Sequence, residues 1–354
     1  MLETILIIVS ISLLIVAHEA GHFAVAKLFG VRVDEFGFGF PPRILSKKLG
    51  ETLYSVNVLP FGGFVRLHGE GVTAGDAEET GIDEKRKFSS RPAWQRASVL
   101  LGGVAMNAIF GWILFSVVFA AGVPFHLAVS DVAPDSPAAA VPILPNDIIV
   151  QASYGGETLN DPVSLSGFIS LVNNAGDGEI ALKIKRGGET LEYVVRGRLN
   201  PPDGQGNLGV SLLNMGVERL GFAKAIYEGA KSAGLTVYFV AVNIWDVISK
   251  LFTSQDAASG VSGPVGIVVI ARQTSELGII FFIQLLAMIS LNLTVLNLIP
   301  FPALDGGKII VVALERLMGR AVPERATIAV NSVGLLLLAI ILVLVTIQDV
   351  NRFF

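Results

Sequence analysis

The sequence contains no cysteine, so disulfide-stapled folds and thiolate metal sites of the zinc-finger type are excluded, and any metal must be held by nitrogen and oxygen. Charge is scarce too: Asp, Glu, Lys and Arg make up 16% of the 354 residues, against 52% hydrophobic residues and a mean hydropathy of +0.64. A chain this apolar does not read as an ordinary soluble domain; it reads as several membrane spans. The net charge of −4 lacks the basic excess of a nucleic-acid binder, so no nucleic-acid partner is expected. Histidine is rare: two of the four, His18 and His22, share one pentapeptide, while His68 and His126 fall in polar connections and read as surface groups. No small-residue cleavage site precedes His18, so the N-terminal apolar run reads as a retained span rather than a signal peptide.

What is there is apolar length. Four segments reach the roughly 20 residues that cross a bilayer: Leu2 to Phe29, Ala97 to Val123, Gly278 to Ile299 and Ala326 to Ile347. The polar stretch between the first two carries 11 Lys or Arg from Lys27 to Arg96, with Lys85, Arg86, Lys87 and Arg91 close to the second span. The positive-inside rule assigns that stretch to the cytoplasm, and the acidic cluster at Asp76, Glu78, Glu79, Asp83 and Glu84 barely counts against it because the rule tracks cations. Lys308, Arg316, Arg320 and Arg325 place the third-to-fourth connection on the same side, so both termini are expected outside the cytoplasm. Residues 226–252 have a short apolar centre flanked by Lys231, Asp246 and Lys250, which fits a helix lying at the interface better than a span.

The expected architecture is a polytopic α-helical membrane protein of about four transmembrane helices, with a cytoplasmic-side membrane-associated β element and one extracytoplasmic α+β domain. By residue, 1–30 forms the first transmembrane helix, 31–96 the β loop and 97–123 the second helix. The α+β domain occupies 124–200, and 201–277 is linker plus interfacial helix. The third transmembrane helix takes 278–307, a cytoplasmic loop 308–325, and the fourth helix with its tail 326–354. Within the first loop, Val31 to Phe40 and Glu51 to Leu67 read as strands, with Phe61-Gly62-Gly63-Phe64 either a plain turn or a strand edge facing the membrane. In the soluble unit a helix is expected over Pro162 to Asn174, and Glu179–Arg186, Gly187-Gly188 and Glu189–Arg198 read as a hairpin.

Residues 18–22 read His-Glu-Ala-Gly-His inside the first span. On a helix, positions four apart are rotated by roughly 40°, so His18 and His22 offer two imidazoles to one metal with Glu19 beside them as general base. Each ionisable residue at membrane depth costs about 2.5 to 3.5 kcal/mol on insertion scales, so three within five positions call for a function. A catalytic zinc needs a third protein ligand and an open position. The best candidate is Asp305, in Asn297-Leu-Ile-Pro-Phe-Pro-Ala-Leu-Asp-Gly-Gly, where Pro300 and Pro302 cannot continue a helix and irregular backbone at membrane depth implies a lined cavity. Asn297 either hydrogen-bonds substrate backbone or caps neighbouring helices. In the second span, Gly102-Gly103 with Asn107 offers small residues for close helix packing.

His18-Glu19-x-x-His22 in the first span and Asn297-x-x-Pro-x-Pro-x-Leu-Asp305-Gly in the third, around a polar insert, closely resemble the site-2 protease family. The insert itself resembles a PDZ domain at Asp131–Ala140 and Leu144–Val150, with Asn146 at the turn position usually held by glycine. The resemblance implies Zn²⁺ held by His18, His22 and Asp305, and Glu19 as general base. Gly62, Gly63 and Phe64 match the family's membrane-facing β element and, with Asn297, are the expected substrate contacts; Ser262-Gly-Pro-Val-Gly266 matches a turn before the third span. It also implies residence in the bacterial cytoplasmic (inner) membrane and single-pass membrane protein substrates, anti-sigma factors or signal-peptide remnants, already cut by an upstream site-1 type protease; the active site is expected in the cytoplasmic half of the bilayer because His18 lies about 24 Å along an inward-running first helix. The reading from a different class is a metal-ion or solute transporter using the same His/Asp cluster, which internal repeat symmetry would favour and which the sequence does not display.

Overall fold

The computed structural model describes residues 2–70, 84–186, 189–202, 204–251 and 263–353. Asp76, Glu78, Glu79 and Asp83, the turn glycines Gly187 and Gly188, and Ser262 lie outside the described residues. In chain order the first half comprises helix α1 (Leu2–Leu28), strands β1 (Val33–Leu49) and β2 (Thr52–Leu67), helix α2 (Ala93–Ala121), strands β3 (Val123–Val132), β4 (Ile148–Tyr154) and β5 (Glu157–Asn160), and helix α3 (Leu165–Ala175). Strands β6 (Glu179–Arg186), β7 (Glu189–Arg196) and β8 (Val210–Val217) follow, then helices α4 (Phe222–Leu251), α5 (Pro264–Leu277), α6 (Ile279–Leu298), α7 (Asp305–Met318) and α8 (Glu324–Phe353). The chain forms two compact units, one of residues 1–116, 226–275 and 282–354, the other of residues 117–225 and 276–281.

Four stretches among the described residues are long and apolar enough to cross a membrane: Ile7–Leu28, Ala93–Ala121, Ile279–Leu298 and Arg325–Asn351. The second begins four residues before the expected Ala97, because Pro92 presets the helical φ at its entry and its carbonyl already accepts the amide of Gln95. α8 is the most apolar and the least covered, with Leu335, Leu336, Ile341 and Leu344 all exposed, the surface a lipid-facing helix presents. Two clasps hold it. Asn331 Oδ1 accepts the amide of Ala303 at 3.2 Å, and the buried Asp349 carboxylate accepts the amides of Gly263 at 3.2 Å and Gly266 at 2.7 Å at the start of α5. α4 is not among the four apolar stretches, and Tyr227, Tyr238, Phe239 and Trp245 along it are exposed.

One expectation is corrected here. Residues 308–325 do not form a loop throughout, because α7 runs from Asp305 to Met318. One face of it is buried, with Ile309 and Val312 packed against Ala26, Val99 and Leu100, while Ile310 and Leu314 stay exposed and Glu315 forms an ion pair with Arg96 of α2 at 2.6 Å. Of the charges that made this stretch look like a connection, Lys308 and Arg316 belong to this helix, Arg320 follows it and Arg325 lies in the first turn of α8.

β1 runs on to Leu49, nine residues past the expected Phe40, while β2 keeps its expected bounds to within a residue, and the two fold back on one another. Glu35–Phe38 is flanked on one side by Leu53–Val56 and on the other by Gly63–Arg66, while Leu45–Leu49 closes a hairpin with Thr52–Val56. Gly63–Arg66 is thus an outer strand of the small sheet. Buried Glu35 accepts from Ser55 Oγ at 2.6 Å and Arg43 Nη2 at 2.8 Å, which satisfies a carboxylate that would otherwise be costly to bury. At the end of α1, Lys27 and Arg86 both donate to Glu51 and hold its carboxyl below the usual carboxylate range.

The second unit is a sheet in the order β7-β6-β4-β3-β8, with β5 beside β4 and α3 packed over it. β6 and β7 pair antiparallel from Glu179↔Arg196 to Arg186↔Glu189, as the expected hairpin requires. α3 begins at Leu165 rather than Pro162, where Ser164 Oγ accepts the amide of Gly167 as an N-cap. The sheet does not stop at residue 200: β8 pairs with β3 from Val123↔Val217 to Val132↔Val210, across a Pro- and Gly-rich segment that hid it from the pattern. Asn146 sits at φ +75°, a left-handed conformation that asparagine tolerates better than most side chains. Next to it the buried Asp147 takes Arg186 bidentately, both bonds at 2.7 Å. Phe168 of α3 is fully enclosed by this core, so Phe168→Ala should destabilise the unit by about 3–5 kcal/mol, read as faster limited proteolysis within residues 117–225 of the full-length protein.

Candidate metal centre and active site

α1 carries the H-E-x-x-H residues and α2 packs on it closely enough to shape their surroundings. Gly21 of α1 and Gly102 of α2 meet backbone to backbone, with a Cβ added at Gly102 falling 2.9 Å from Val25 Cγ2. One residue on, Gly103 lies under the two imidazoles: a Cβ there would be 2.6 Å from His22 Cε1 and 2.7 Å from His18 Cε1. This is a consequence of small-residue packing that the sequence pattern did not reveal; the glycines admit the neighbouring helix and also leave space for the rings.

The third residue arrives from a broken helix pair. α6 ends at Leu298, and the chain passes through Pro300, Pro302 and Ala303, which has φ +73°, before α7 starts at Leu304 as N-cap. Gly307 faces the Phe301 carbonyl, with 2.8 Å from an added Cβ to the carbonyl carbon, and Gly306 faces Leu298 in the same way at 2.7 Å, so neither position has room for a side chain. The turn tightened by these glycines presents Asp305 from the first turn of α7. Its Oδ2 lies 3.0 Å from His18 Nε2 and 3.3 Å from His22 Nε2, and the two Nε2 atoms are 3.0 Å apart. All three residues are buried, and among the described residues they are the group of three or more His, Asp or Glu able to share one metal ion.

The donor set fits a metal ion by its chemistry. Val99 O accepts from His22 Nδ1 at 2.8 Å; a carbonyl only accepts, so Nδ1 carries the proton and Nε2 is left with its lone pair facing the cluster. Asp305 Oδ2 is buried and has no neighbour to bond to other than the two imidazole Nε2 atoms, the setting of an oxygen that a cation shared with them would satisfy. Two imidazole nitrogens and one carboxylate oxygen are a three-ligand set of the catalytic-zinc type.

Glu19 stands beside this group. Its Oε2 accepts the amide of Val65 at 3.1 Å, so the outer strand of the β sheet anchors the carboxylate. These residues open onto a cavity of about 410 Å³ whose lining includes Glu19, Phe64, Asn297 and Asp305, with Glu70 and Lys308 ion-paired at 2.7 Å along it. Of the expected substrate contacts, Phe64 and Asn297 line the cavity, and Gly63 lies against α1, where a Cβ would be 3.3 Å from Val16 and 3.7 Å from Glu19 Cγ. Gly62, at φ +90°, packs instead on the Phe40 ring. His68 and His126 stay out of the cluster. His68 is buried rather than a surface group, its Nδ1 2.9 Å from Asp34 Oδ2, and His126 lies 3.4 Å from Asp161. Lys308, Asn107 and Val99 are site residues that sequence reasoning did not assign; only Lys308, one turn after Asp305, carried a positional signal for it.

The model of peptidase family M50 matches residues 6–341. The chain belongs to this family. It is similar over its length to curated relatives, among them a Clostridium perfringens protein whose name describes a zinc metalloprotease, 31% identical over 343 residues that cover 97% of each chain. The regulator of sigma-W protease RasP of Bacillus subtilis is 26% identical, with 96% of each chain covered. The zinc metalloprotease RasP of Shouchella clausii is 27% identical over the full length of both. This M50 peptidase is therefore a zinc metalloprotease of the site-2 protease family, a multi-pass membrane protein of the kind active in regulated intramembrane proteolysis. That membership does not favour the transporter reading.

Proposed function

We propose that the chain hydrolyses a peptide bond within the transmembrane segment of single-pass membrane proteins, anti-sigma factors shortened by an upstream site-1 type protease or signal-peptide remnants, with His18, His22 and Asp305 as the zinc ligands and Glu19 as general base. The observation that carries the reading is one carboxylate oxygen within 3.3 Å of two imidazole nitrogens, beside a glutamate, on a cavity lined by helices of spanning length. Bound zinc supplies Lewis acidity at the reacting centre. The rest belongs to the chain: Glu19 takes the proton of the attacking water and returns it to the departing amine nitrogen, and its bond to Val65 keeps it aimed. A transmembrane helix must be unwound first, and an extended segment can add to the outer strand Gly63–Arg66, next to Glu19, with Asn297 of the cavity lining holding substrate backbone. Proximity of that strand edge to the base supports Gly63 and Phe64 as the substrate-strand platform, while Gly62 turns the chain into it.

The cation distribution supports a site in the cytoplasmic half of the bilayer, with both termini and the 117–225 unit extracytoplasmic. That unit, an α+β sheet with one helix over it, is read as PDZ-like. Purified protein in liposomes with a single-pass stub tests the function. Cleavage within the apolar segment, lost with a chelator and regained with zinc, supports it, and chelator-insensitive cleavage overturns it. Asp305→Asn removes the one anionic ligand and should lower zinc affinity by at least about tenfold, measured as metal content after dialysis against a competing chelator. Unchanged metal content would remove Asp305 from the ligand set.

A further inference from the structure

The two imidazoles are oriented by unlike partners. His22 Nδ1 meets a backbone carbonyl, which fixes its tautomer. His18 Nδ1 meets a side-chain amide: Asn107 Nδ2 lies 3.2 Å away, Asn107 is completely buried, and its Oδ1 has no hydrogen-bond partner among the described residues. The helix is pinned at this residue, because buried Ser290 Oγ of α6 donates to the Asn107 carbonyl at 2.8 Å. A side-chain amide is nearly symmetric in shape but opposite in polarity at its two ends, so either end can meet the ring without moving the helix.

With Nδ2 toward the ring, Nδ1 of His18 accepts, and the ring proton sits on Nε2, where Asp305 Oδ2 at 3.0 Å receives it. Ligation through Nε2 requires the reverse, with the proton on Nδ1 and an acceptor facing it. We infer that Asn107 is a positioning residue whose amide turns its oxygen to His18 Nδ1–H, fixing the tautomer that frees Nε2 for the metal. The inference rests on the reading of His18 as a ligand. Asn107 thus links the packing of α2 and α6 to the metal affinity of α1, a role that neither small-residue spacing nor the H-E-x-x-H pattern discloses.

The test uses the full-length protein labelled with ¹⁵N-histidine, which gives only four imidazoles, and loaded with ¹¹³Cd²⁺ in place of zinc. The expected spectrum shows His18 coupled to cadmium through Nε2 with Nδ1 protonated. Asn107→Leu, which has no acceptor, should weaken zinc binding by about 10–100-fold, and Asn107→Asp, which restores one, should bind within a few-fold of the parent. Coupling through Nε2 with Asn107→Leu binding zinc within twofold of the parent overturns the inference and leaves the ligand set standing. Equal losses in Asn107→Leu and Asn107→Asp overturn it likewise, because loss of packing alone would not distinguish them. Absence of any His18 coupling defeats the ligand reading and the inference together. If Asn107→Leu does not fold, the parent spectrum decides: cadmium on Nδ1 or an unprotonated Nδ1 overturns the proposal.

Discussion

Glu19→Gln should abolish turnover while leaving zinc content and fold intact. Gln keeps a carbonyl oxygen at the position where Oε2 now accepts the Val65 amide at 3.1 Å, so the contact between α1 and the outer strand survives. What is lost is the ability to take a proton. Removing a positioned general base typically costs about 10²–10⁴ in rate, and the other carboxylates that line the cavity among the described residues are engaged: Asp305 faces both imidazoles and Glu70 is ion-paired with Lys308. Single-turnover cleavage of a reconstituted stub, with zinc measured on the same sample, checks it. Turnover within a few-fold of the parent at equal zinc would remove Glu19 from the mechanism.

The second large effect is expected from a residue with no functional group. Gly103→Ala puts a methyl 2.6 Å from His22 Cε1 and 2.7 Å from His18 Cε1, closer than carbon atoms tolerate, and the rings cannot retreat without abandoning Val99 and Asn107. Overpacking of this kind commonly costs about 1–3 kcal/mol, and displacement of both Nε2 atoms from Asp305 should lower zinc affinity by at least about tenfold. Gly234→Ala is the control, since a Cβ there meets nothing within 4 Å and a helical Gly→Ala change is neutral or stabilising. Chelator competition on both variants separates a crowded metal cluster from a general intolerance of larger residues. Equal zinc affinity for the two would sink the idea.

The spans and the Asp305 turn were legible because each rests on local rules. Spanning length is a property of one segment, the four-residue spacing of His18 and His22 is a property of one helix, and paired prolines followed by paired glycines announce a break. What escaped depends on partners far away in sequence. β8 is identified by its ladder with β3, whose pairs lie 78 to 94 positions apart in the chain, α7 by Ile309 and Val312 finding the α1–α2 core, and the role of Asn107 by a helix contact 89 positions from His18. Gly103 was read for helix packing, and packing is indeed what it does; the imidazoles beneath it appear only when α1 and α2 are brought together.

The clasps on α8 have a consequence for how its sequence can drift. Asn331 and Asp349 are 18 residues apart, about 27 Å along the helix axis, and almost everything between them faces outward. Selection on that interval can act through thickness and fluidity of the surrounding lipid rather than through shape complementarity. Leu, Ile, Val and Phe are then interchangeable there, and homologues from organisms with thinner or thicker membranes can adjust this helix without disturbing any residue that touches the reaction.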